Sequence, residues 1–223
     1  MLDWRSLRTD LADLVLARTC AGCESPGTVL CEICWAHLTR GLIEHDLPDG
    51  ESALASTSYL GVGRSVVIAH KEHGWHALTP MLGILLARAV TSLTAEPVSL
   101  VPIPPHAHSL SLRGTDPLAD ITRAAVRCLR SIGQPATCDP LLTRAREGGS
   151  VKKLDRAARR ESVESSFVVA RQRRPHVGQL IIVDDVITTG ITITEARRAL
   201  ESGGVSVCGA AAVASTPLRT GLR

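Results

Sequence analysis

Two adjacent carboxylates late in the chain, Asp184 and Asp185, directly follow a short apolar run, residues 180–183. A run of this length and composition predicts a buried strand. In open parallel sheets, ligands bind beyond the carboxyl ends of the strands, and both carboxylates are expected at such an end. Carboxylate oxygens accept hydrogen bonds from hydroxyl groups, so the pair favours a diol as its ligand.

The residues after the carboxylates predict a phosphate-binding turn. Thr188, Thr189 and Gly190 lead into a helix expected over 192–202, which begins with Thr192. Free backbone N–H groups and the dipole at a helix N-terminus favour a phosphate, and the threonine hydroxyls add donors. Gly190 allows a positive φ and a close approach of the backbone to the anion. The lysine of a nucleotide-binding Walker loop is missing, which favours a monophosphate.

Carboxylates for a diol beside a loop for one phosphate describe a site for a ribose 5-phosphate. The loop would hold the phosphate, and Asp184 and Asp185 would hold the 2- and 3-hydroxyls. The alternative is purely structural: a strand end with an Asx turn, followed by a threonine that caps the next helix.

Four cysteines near the N-terminus form two Cys-x-x-Cys pairs with seven residues between them: Cys20 and Cys23, then Cys31 and Cys34. Each pair can place two thiolates on one ion, and four thiolates satisfy tetrahedral Zn2+ with no open position. The spacing predicts a structural zinc site, in which metal binding stabilises a segment too small for its own core. Buried free thiols, a redox pair and an iron–sulfur cluster are the alternatives.

The composition of the 223 residues limits the classes of protein to which this chain can belong. Hydrophobic residues make up 44% and charged residues 21%, which excludes a wholly disordered chain. Aromatic residues make up only 2%, which argues against a platform that stacks nucleic-acid bases. The net charge of +3 is too mild to indicate nucleic acid by itself, although ten basic residues fall between Arg144 and Arg174.

The distribution of apolar residues along the chain indicates the cellular compartment in which we expect the protein. No segment has the roughly 18 uninterrupted apolar residues of a membrane span. Residues 4–18 carry apolar side chains at helical spacing, which predicts an amphipathic helix rather than a secretory leader. We therefore expect a cytoplasmic protein, whose seven cysteines are metal ligands or buried thiols rather than disulfides.

Apolar runs and helical periods alternate along the rest of the chain. Strands are predicted over 55–59, 98–103, 180–183 and 205–214, and helices over 66–70 onward, 81–93, 117–132 and 192–202. This alternation predicts an α/β fold with a mainly parallel sheet. A stretch rich in Gly, Pro and acidic residues places a boundary near residue 50, between an N-terminal helix and four-cysteine segment (1–50) and the main domain (51–223).

The segment Val183-Asp-Asp-Val-Ile-Thr-Thr-Gly190 resembles the phosphoribosyl-diphosphate motif of type I phosphoribosyltransferases. A cysteine cluster followed by such a domain is similar to the ComF family of competence-associated proteins. Further pieces match in the same order, over about residues 20–215: Tyr59, Lys71, Val101–Pro104, Arg113-Gly114, the segment 144–159 and Phe167. The resemblance implies a phosphoribosyltransferase-type parallel sheet flanked by helices, with a small zinc-binding segment in front.

The resemblance also implies a reaction and roles for residues. Proteins of this kind bind phosphoribosyl diphosphate with Mg2+ and transfer ribose 5-phosphate to a nitrogen nucleophile. The binding residues would be Asp184, Asp185, Val186, Thr188, Thr189, Gly190 and Thr192, with Lys152 and Arg159 in a loop that covers the donor. Lys71 and Arg113 would act with the two aspartates in catalysis by assisting the departing diphosphate. Solvent-exposed helix charges are the alternative for these basic residues.

The chain departs from the family pattern in places, which leads to a second function. The family has Arg-Gly-Phe-Asn-Gln where this chain has Arg113-Gly-Thr-Asp-Pro117, and Gln where it has Val151. These departures bear on turnover more than on phosphate binding. The alternative is a DNA-uptake accessory protein that binds single-stranded DNA or a helicase partner, with a non-catalytic sugar-phosphate site. A purine-salvage enzyme ranks lower, because few aromatic rings are available to stack on a base.

Overall fold

The computed structural model describes residues 19–105, 116–144, 167–170 and 178–217. The strands in these ranges are β1 (Ile43–Asp46), β2 (Ser52–Ser58), β3 (Val98–Pro102), β4 (Ala136–Cys138), β5 (Leu142–Arg144), β6 (Phe167–Val169), β7 (Gln179–Ile187) and β8 (Gly209–Ser215). The helices are α1 (Glu32–Leu38), α2 (Gly61–Lys71), α3 (Thr79–Leu93), α4 (Pro117–Ser131) and α5 (Ile191–Ser202), with a short 3-10 helix at His76–Leu78.

Six of the strands form a central sheet in the order β1-β2-β8-β7-β3-β4. β1 pairs antiparallel with β2 at one edge, and the other four pairings in this sheet are parallel. β5 and β6 form a separate antiparallel pair. The predicted α/β fold with a mainly parallel sheet and flanking helices is confirmed. The helix predicted to open at residue 66 begins earlier, at Gly61.

The strand that carries the two aspartates is longer than its apolar run. The sequence places its end at Val183, but β7 continues to Ile187, so Asp184 and Asp185 lie within the strand. The reason is unequal pairing, because β8 pairs with β7 through its last residue whereas β3 stops at Pro102, opposite Val183. The carboxylates therefore lie beyond the carboxyl end of β3, where that side of β7 is open.

Alternate residues of β7 belong to two buried clusters on opposite faces of the sheet. Ile181 and Val183 pack with residues of α2, α3 and α4, whereas Leu180 and Ile182 pack with residues of α5. The neighbouring strand β8 has the sequence Gly-Ala-Ala-Ala-Val-Ala-Ser, and all seven residues are buried. Such small side chains let the helices on both faces approach the sheet closely.

One stretch, His76–Leu93, is long and apolar enough to cross a membrane by length and composition. It consists of the 3-10 helix followed by α3. Most of the apolar residues of α3, among them Leu82, Leu85, Leu86 and Val90, are buried in the cluster that covers the sheet, whereas Ile84 is exposed. Helix α3 thus uses its apolar side chains in the protein core.

The four-cysteine segment packs on the same core as the main domain. Cys20, Leu30, Cys34 and Leu38 belong to the buried cluster that contains residues of α2 and α3. The predicted boundary near residue 50 falls in the turn between β1 and β2, and the division into 1–50 and 51–223 stays a prediction. The amphipathic helix predicted over 4–18 lies outside the described residues.

Candidate functional site

The two aspartates of β7 differ in their surroundings. Asp185 is buried, and its backbone N–H donates a hydrogen bond to Oδ1 of Asp184 at 2.8 Å. Asp184 keeps part of its surface in contact with solvent. Its carboxyl group is nevertheless largely removed from water, and this desolvation, reinforced by the negative charge of Asp185, raises the pKa of Asp184 well above its usual range. The pair therefore does not carry two full negative charges as readily as two exposed carboxylates would.

Lys71 supplies the positive charge beside this pair. It is the last residue of α2, and its Nζ lies 2.5 Å from Oδ2 of Asp185. Burial alone would lower the pKa of Lys71, but the carboxylate of Asp185 raises it above its usual value. Lys71 is thus an ammonium ion held at the carboxylates by a charge-assisted hydrogen bond.

The loop after β7 leaves the start of α5 available to an anion. Thr188 and Thr189 are exposed, and Gly190 occupies the N-cap position with φ of 74°. No side chain within the described residues caps this helix, because glycine has none to offer. The first backbone N–H groups of α5 can therefore donate to a bound phosphate.

Gly190 is required by the close approach of the turn between β1 and β2. A Cβ at position 190 would lie 2.6 Å from Cδ2 of Leu47 and 3.2 Å from Cδ of Pro48. Leu47 is itself buried. A larger residue at position 190 would collide with this turn, in addition to the strain of a left-handed backbone conformation.

Two further contacts hold the loop and its helix. Arg197 on α5 is buried, and its Nε lies 3.3 Å from Oδ2 of Asp49 in the same β1–β2 turn. On the other side, Oγ1 of Thr216 donates to the carbonyl oxygen of Thr188 at 2.9 Å. The loop of residues 188–190, which is the predicted phosphate loop, is thus fixed between the β1–β2 turn and the end of β8.

A cavity of about 230 Å³ opens beside the aspartates. Its polar lining residues are Lys71, Asp116, Arg144, Asp184, Asp185 and Thr192, and apolar residues of the segment 103–105 and of the first turn of α4 complete the wall. Arg144 is anchored there, because its Nε donates to the carbonyl oxygen of Pro104 at 3.1 Å and its guanidinium lies 4.9 Å from the ring centre of Phe167. The cavity therefore combines two cations, the carboxylate pair of β7, the carboxylate of Asp116 and the start of a helix.

The structure brings together most of the residues predicted from the sequence. Lys71, Asp184, Asp185, Val186 and Thr192 line the cavity, and Thr188, Thr189 and Gly190 form the adjoining loop. Three predicted site residues lie outside the described residues: Arg113, Lys152 and Arg159.

Sequence reasoning missed several residues that the fold brings to this place. Asp116 lines the cavity and caps α4, with Oδ1 accepting from the backbone N–H groups of Leu118 and Ala119. An Asp-Pro pair ahead of a helical period is a start signal that could have located it. Arg144 was noted only as one of many basic residues, and no local pattern indicates the contact between Asp49 and Arg197.

The four cysteines converge at a second place. The Sγ atoms of Cys20, Cys23, Cys31 and Cys34 all lie within 4.8 Å of one another, and those of Cys23 and Cys31 are 3.6 Å apart. Zinc–sulfur bonds of about 2.3 Å in a tetrahedron separate neighbouring sulfur atoms by roughly 3.8 Å. The cluster can hold a metal ion such as zinc with little rearrangement.

Backbone groups stabilise negative charge on these sulfur atoms. The N–H groups of Gly22 and Cys31 donate to Sγ of Cys20 at 3.4 and 3.3 Å, and that of Cys34 donates to Sγ of Cys31 at 3.5 Å. Burial alone would raise the pKa of Cys20, but the backbone N–H groups of Cys31, Cys23 and Gly22 lower it to about 6. Burial raises the pKa of Cys34, which a bound metal would have to overcome. The donor set fits a thiophilic ion in a closed structural site.

Comparisons with known proteins found structural neighbours only. The chain matches no protein-family model and no curated protein. Solved structures that are similar include the allosteric regulatory enzyme of purine biosynthesis (21% identity, TM-score 0.32, 63% of this chain and 25% of that chain). UMP synthase from Leishmania donovani is similar at 15% identity and a TM-score of 0.37, over 96% of this chain and 36% of that chain. Orotate phosphoribosyltransferase from Aeropyrum pernix is similar at 16% identity and a TM-score of 0.33, over 77% of this chain and 73% of that chain. This chain therefore spans about a quarter and about a third of the first two, and similarities at this level assign no activity to it.

Proposed function

We propose that the cavity beside Asp184 and Asp185 binds phosphoribosyl diphosphate together with Mg2+, and that the protein transfers ribose 5-phosphate to a nitrogen nucleophile. One observation carries the proposal: a carboxylate pair, an uncapped helix N-terminus and two cations meet at one cavity. A diol, a phosphate and a diphosphate are the ligand groups that match these three features.

Each part of the donor has a matching group. The 5-phosphate would accept hydrogen bonds from the backbone of Gly190 and the first turn of α5, with the exposed Thr188 and Thr189 hydroxyls beside it. The ribose diol would donate to the aspartates. The diphosphate would lie toward Lys71 and Arg144, whose positive charges stabilise the negative charge that develops on the leaving group.

The carboxylates also fit the metal ion. Asp184 and Asp185 present oxygen ligands, the donor type that Mg2+ prefers, and Asp184 retains a solvent-accessible surface beside the cavity. A Mg2+ ion held there with the donor would neutralise diphosphate charge. Because the pKa of Asp184 is raised, a metal ion would compete with a proton for this carboxylate.

Calorimetry tests the proposal. The intact protein is expected to bind phosphoribosyl diphosphate only when Mg2+ is present. The double change Asp184→Asn and Asp185→Asn should reduce the affinity at least about tenfold, because the hydroxyl acceptors lose their charge. A matched control removes two exposed carboxylates, by Glu44→Gln and Glu201→Gln, and should bind as the wild type does. Equal affinity for both double variants would exclude the ribose assignment.

Turnover requires a separate measurement. The protein would be incubated with phosphoribosyl diphosphate, Mg2+ and a panel of bases and amines, and diphosphate release would be followed. Acceptor-dependent release would establish transfer, whereas tight binding without release would leave a sugar-phosphate-binding protein without catalysis.

The cysteine cluster completes the proposal as a structural zinc site in a cytoplasmic protein of the ComF type. The closed set of four sulfur atoms leaves no position for a substrate. If the protein instead acts in DNA uptake, single-stranded DNA should bind with an affinity that falls steeply with added salt, because phosphate contacts release counterions. Donor binding should depend on Mg2+ and on the aspartates.

A further inference from the structure

The ion pair of Lys71 and Asp185 occupies the place where the proposed ligand must bind. Nζ of Lys71 lies 2.5 Å from Oδ2 of Asp185, and both side chains line the cavity of about 230 Å³. A ribose hydroxyl or a metal ion that binds Asp185 would compete with the ammonium group for this carboxylate. In the free protein, that oxygen is already engaged by the ammonium group.

The two partners of this ion pair differ in their freedom to move. The side chain of Asp185 is 11% exposed and projects from the middle of a sheet, whereas that of Lys71 is 39% exposed. Lys71 ends its helix, and a lysine carries its charge on a flexible four-carbon stem. When the pair separates, the ammonium group moves and the carboxylate stays.

The other cation of the cavity behaves differently. Arg144 is tied to the carbonyl oxygen of Pro104 and to the ring of Phe167, and neither contact involves the two aspartates of β7. The guanidinium group of Arg144 can therefore contact a diphosphate without first breaking an ion pair with Asp184 or Asp185. Lys71, by contrast, is engaged by one of those aspartates, Asp185, before any diphosphate binds.

The positive charge of Lys71 opposes binding of a divalent metal ion at Asp185 for as long as the ion pair is formed. An ammonium ion and a divalent cation that share one carboxylate repel each other strongly at a separation of a few ångströms. The diphosphate of the donor removes this conflict, because it offers the ammonium a new anionic partner in the same cavity.

We infer that Lys71 changes partners when the donor binds. This inference rests on the proposed function. In the free protein the ammonium neutralises Asp185 and keeps divalent cations away. On donor binding it transfers to the diphosphate, and Asp185 becomes available to the ribose diol or to the metal ion. Mg2+ consequently enters with the donor rather than before it.

The test measures two affinities that should change in opposite directions. Magnesium alone is titrated into the free protein by calorimetry, and phosphoribosyl diphosphate is titrated at saturating Mg2+. In Lys71→Met, the affinity for Mg2+ alone should rise at least about tenfold, because a competing charge is gone. The affinity for phosphoribosyl diphosphate should fall at least about tenfold, because a charge-assisted hydrogen bond is lost.

Two control variants separate this exchange from a general effect. Lys71→Arg keeps the charge and should keep the low affinity for Mg2+ alone. Arg64→Met removes an exposed cation from the same helix and should change neither affinity. If Lys71→Met does not fold, as judged by its melting curve, Lys71→Gln supplies a neutral polar replacement for the same titrations.

The inference is overturned if Mg2+ alone binds the neutral variants no more tightly than the wild type, or if both affinities move in the same direction. Failure of the proposed function gives a different result. The wild type would then not bind phosphoribosyl diphosphate, while the titration with Mg2+ alone would still report whether Lys71 excludes cations from Asp185.

Discussion

The four-cysteine cluster and the phosphate loop use backbone N–H groups in opposite ways. In the cluster, the N–H groups of Gly22, Cys31 and Cys34 point at sulfur atoms of the same segment. At the start of α5, the N-cap is Gly190 and no side chain accepts from the helix. In the first region the N–H groups have acceptors within their own segment, whereas in the second no side chain among the described residues caps the helix, which leaves its first N–H groups available to an external anion. This difference is what we expect between a structural site and a binding site.

The two regions also differ in where their parts come from. All four sulfur ligands fall within residues 20–34. The binding cavity draws on α2, β5, β7 and the first turns of α4 and α5, and its loop is held by the β1–β2 turn. Substitutions in the cluster should therefore mainly lower the free energy of unfolding. Substitutions around the loop should lower both the free energy of unfolding and the affinity for the proposed donor.

The largest expected effect comes from removing the metal ligands that are buried in the core. The double change Cys20→Ser and Cys34→Ser should abolish stoichiometric zinc and lower the free energy of unfolding by at least about 5 kcal/mol, because metal binding contributes folding energy. Metal analysis and denaturant unfolding measure the two effects. Cys208→Ser, an exposed cysteine outside the cluster, serves as the control. Retention of one zinc per chain in the double variant would contradict the assignment.

The next effect concerns the buried arginine behind the phosphate loop. Asp49→Asn leaves Arg197 buried without a carboxylate and should lower the free energy of unfolding by about 3 kcal/mol. Donor affinity should fall as well, because the same turn packs against Gly190. Glu51→Gln changes an exposed acid in that turn and provides the comparison. An unchanged unfolding midpoint in Asp49→Asn would show that the ion pair contributes nothing.

A smaller effect isolates the contact between Gly190 and Leu47. Gly190→Ala should destabilise the protein by about 2 kcal/mol, from the left-handed backbone and the short distance to Leu47 together. Gly204 has nearly the same φ, 75° against 74°, but open space around it, so Gly204→Ala measures the backbone contribution alone. Denaturant unfolding of both variants gives the difference. Equal losses would mean that the β1–β2 turn yields freely to the added methyl group.

The smallest expected effect is a dependence on pH. Burial lowers the pKa of His70, whose Nε2 lies 2.8 Å from Oγ1 of Thr79. The unfolded chain therefore binds a proton at a higher pH than the folded chain does. The contribution of neutral His70 to the free energy of unfolding is complete above the ordinary histidine pKa, about 6.5. This contribution declines as the pH falls below that value. Unfolding measured at pH 7.5 and 5.5 should show a smaller decline in His70→Gln than in the wild type.

The four-cysteine cluster could be predicted from the sequence, because its ligands lie close together along the chain. The spacing of the two Cys-x-x-Cys pairs indicates that their side chains can converge, and the structure brings the four sulfur atoms together. Among the strands of the described residues, apolar runs predicted β2, β3, β7 and β8, because such runs reflect burial. The short strands β4, β5 and β6 were not predicted, and β1 falls in the stretch that was expected to be a loop. The end of β7 was not predicted either, since it depends on β8 continuing to pair after β3 has stopped.

The parts of the binding site that sequence reasoning missed are contacts between distant segments. Asp49 meets Arg197, and Arg144 reaches the carbonyl oxygen of Pro104, across intervals that no local pattern encodes. Lys71 and Asp185 were both predicted as site residues, but the ion pair between them was not. Such contacts follow from the order of strands in the sheet, which periodicity alone does not determine.

Helix α2 joins the two regions end to end. A Cβ at Gly22 would lie 2.7 Å from Sγ of Cys34 and 2.8 Å from Cγ1 of Val62, so the cysteine segment packs tightly against the first turn of the helix whose last residue is Lys71. If the cluster is the proposed zinc site, a newly synthesised chain without the ion would lack firm support for that first turn. We therefore expect metal loading to precede ligand competence during maturation of the protein.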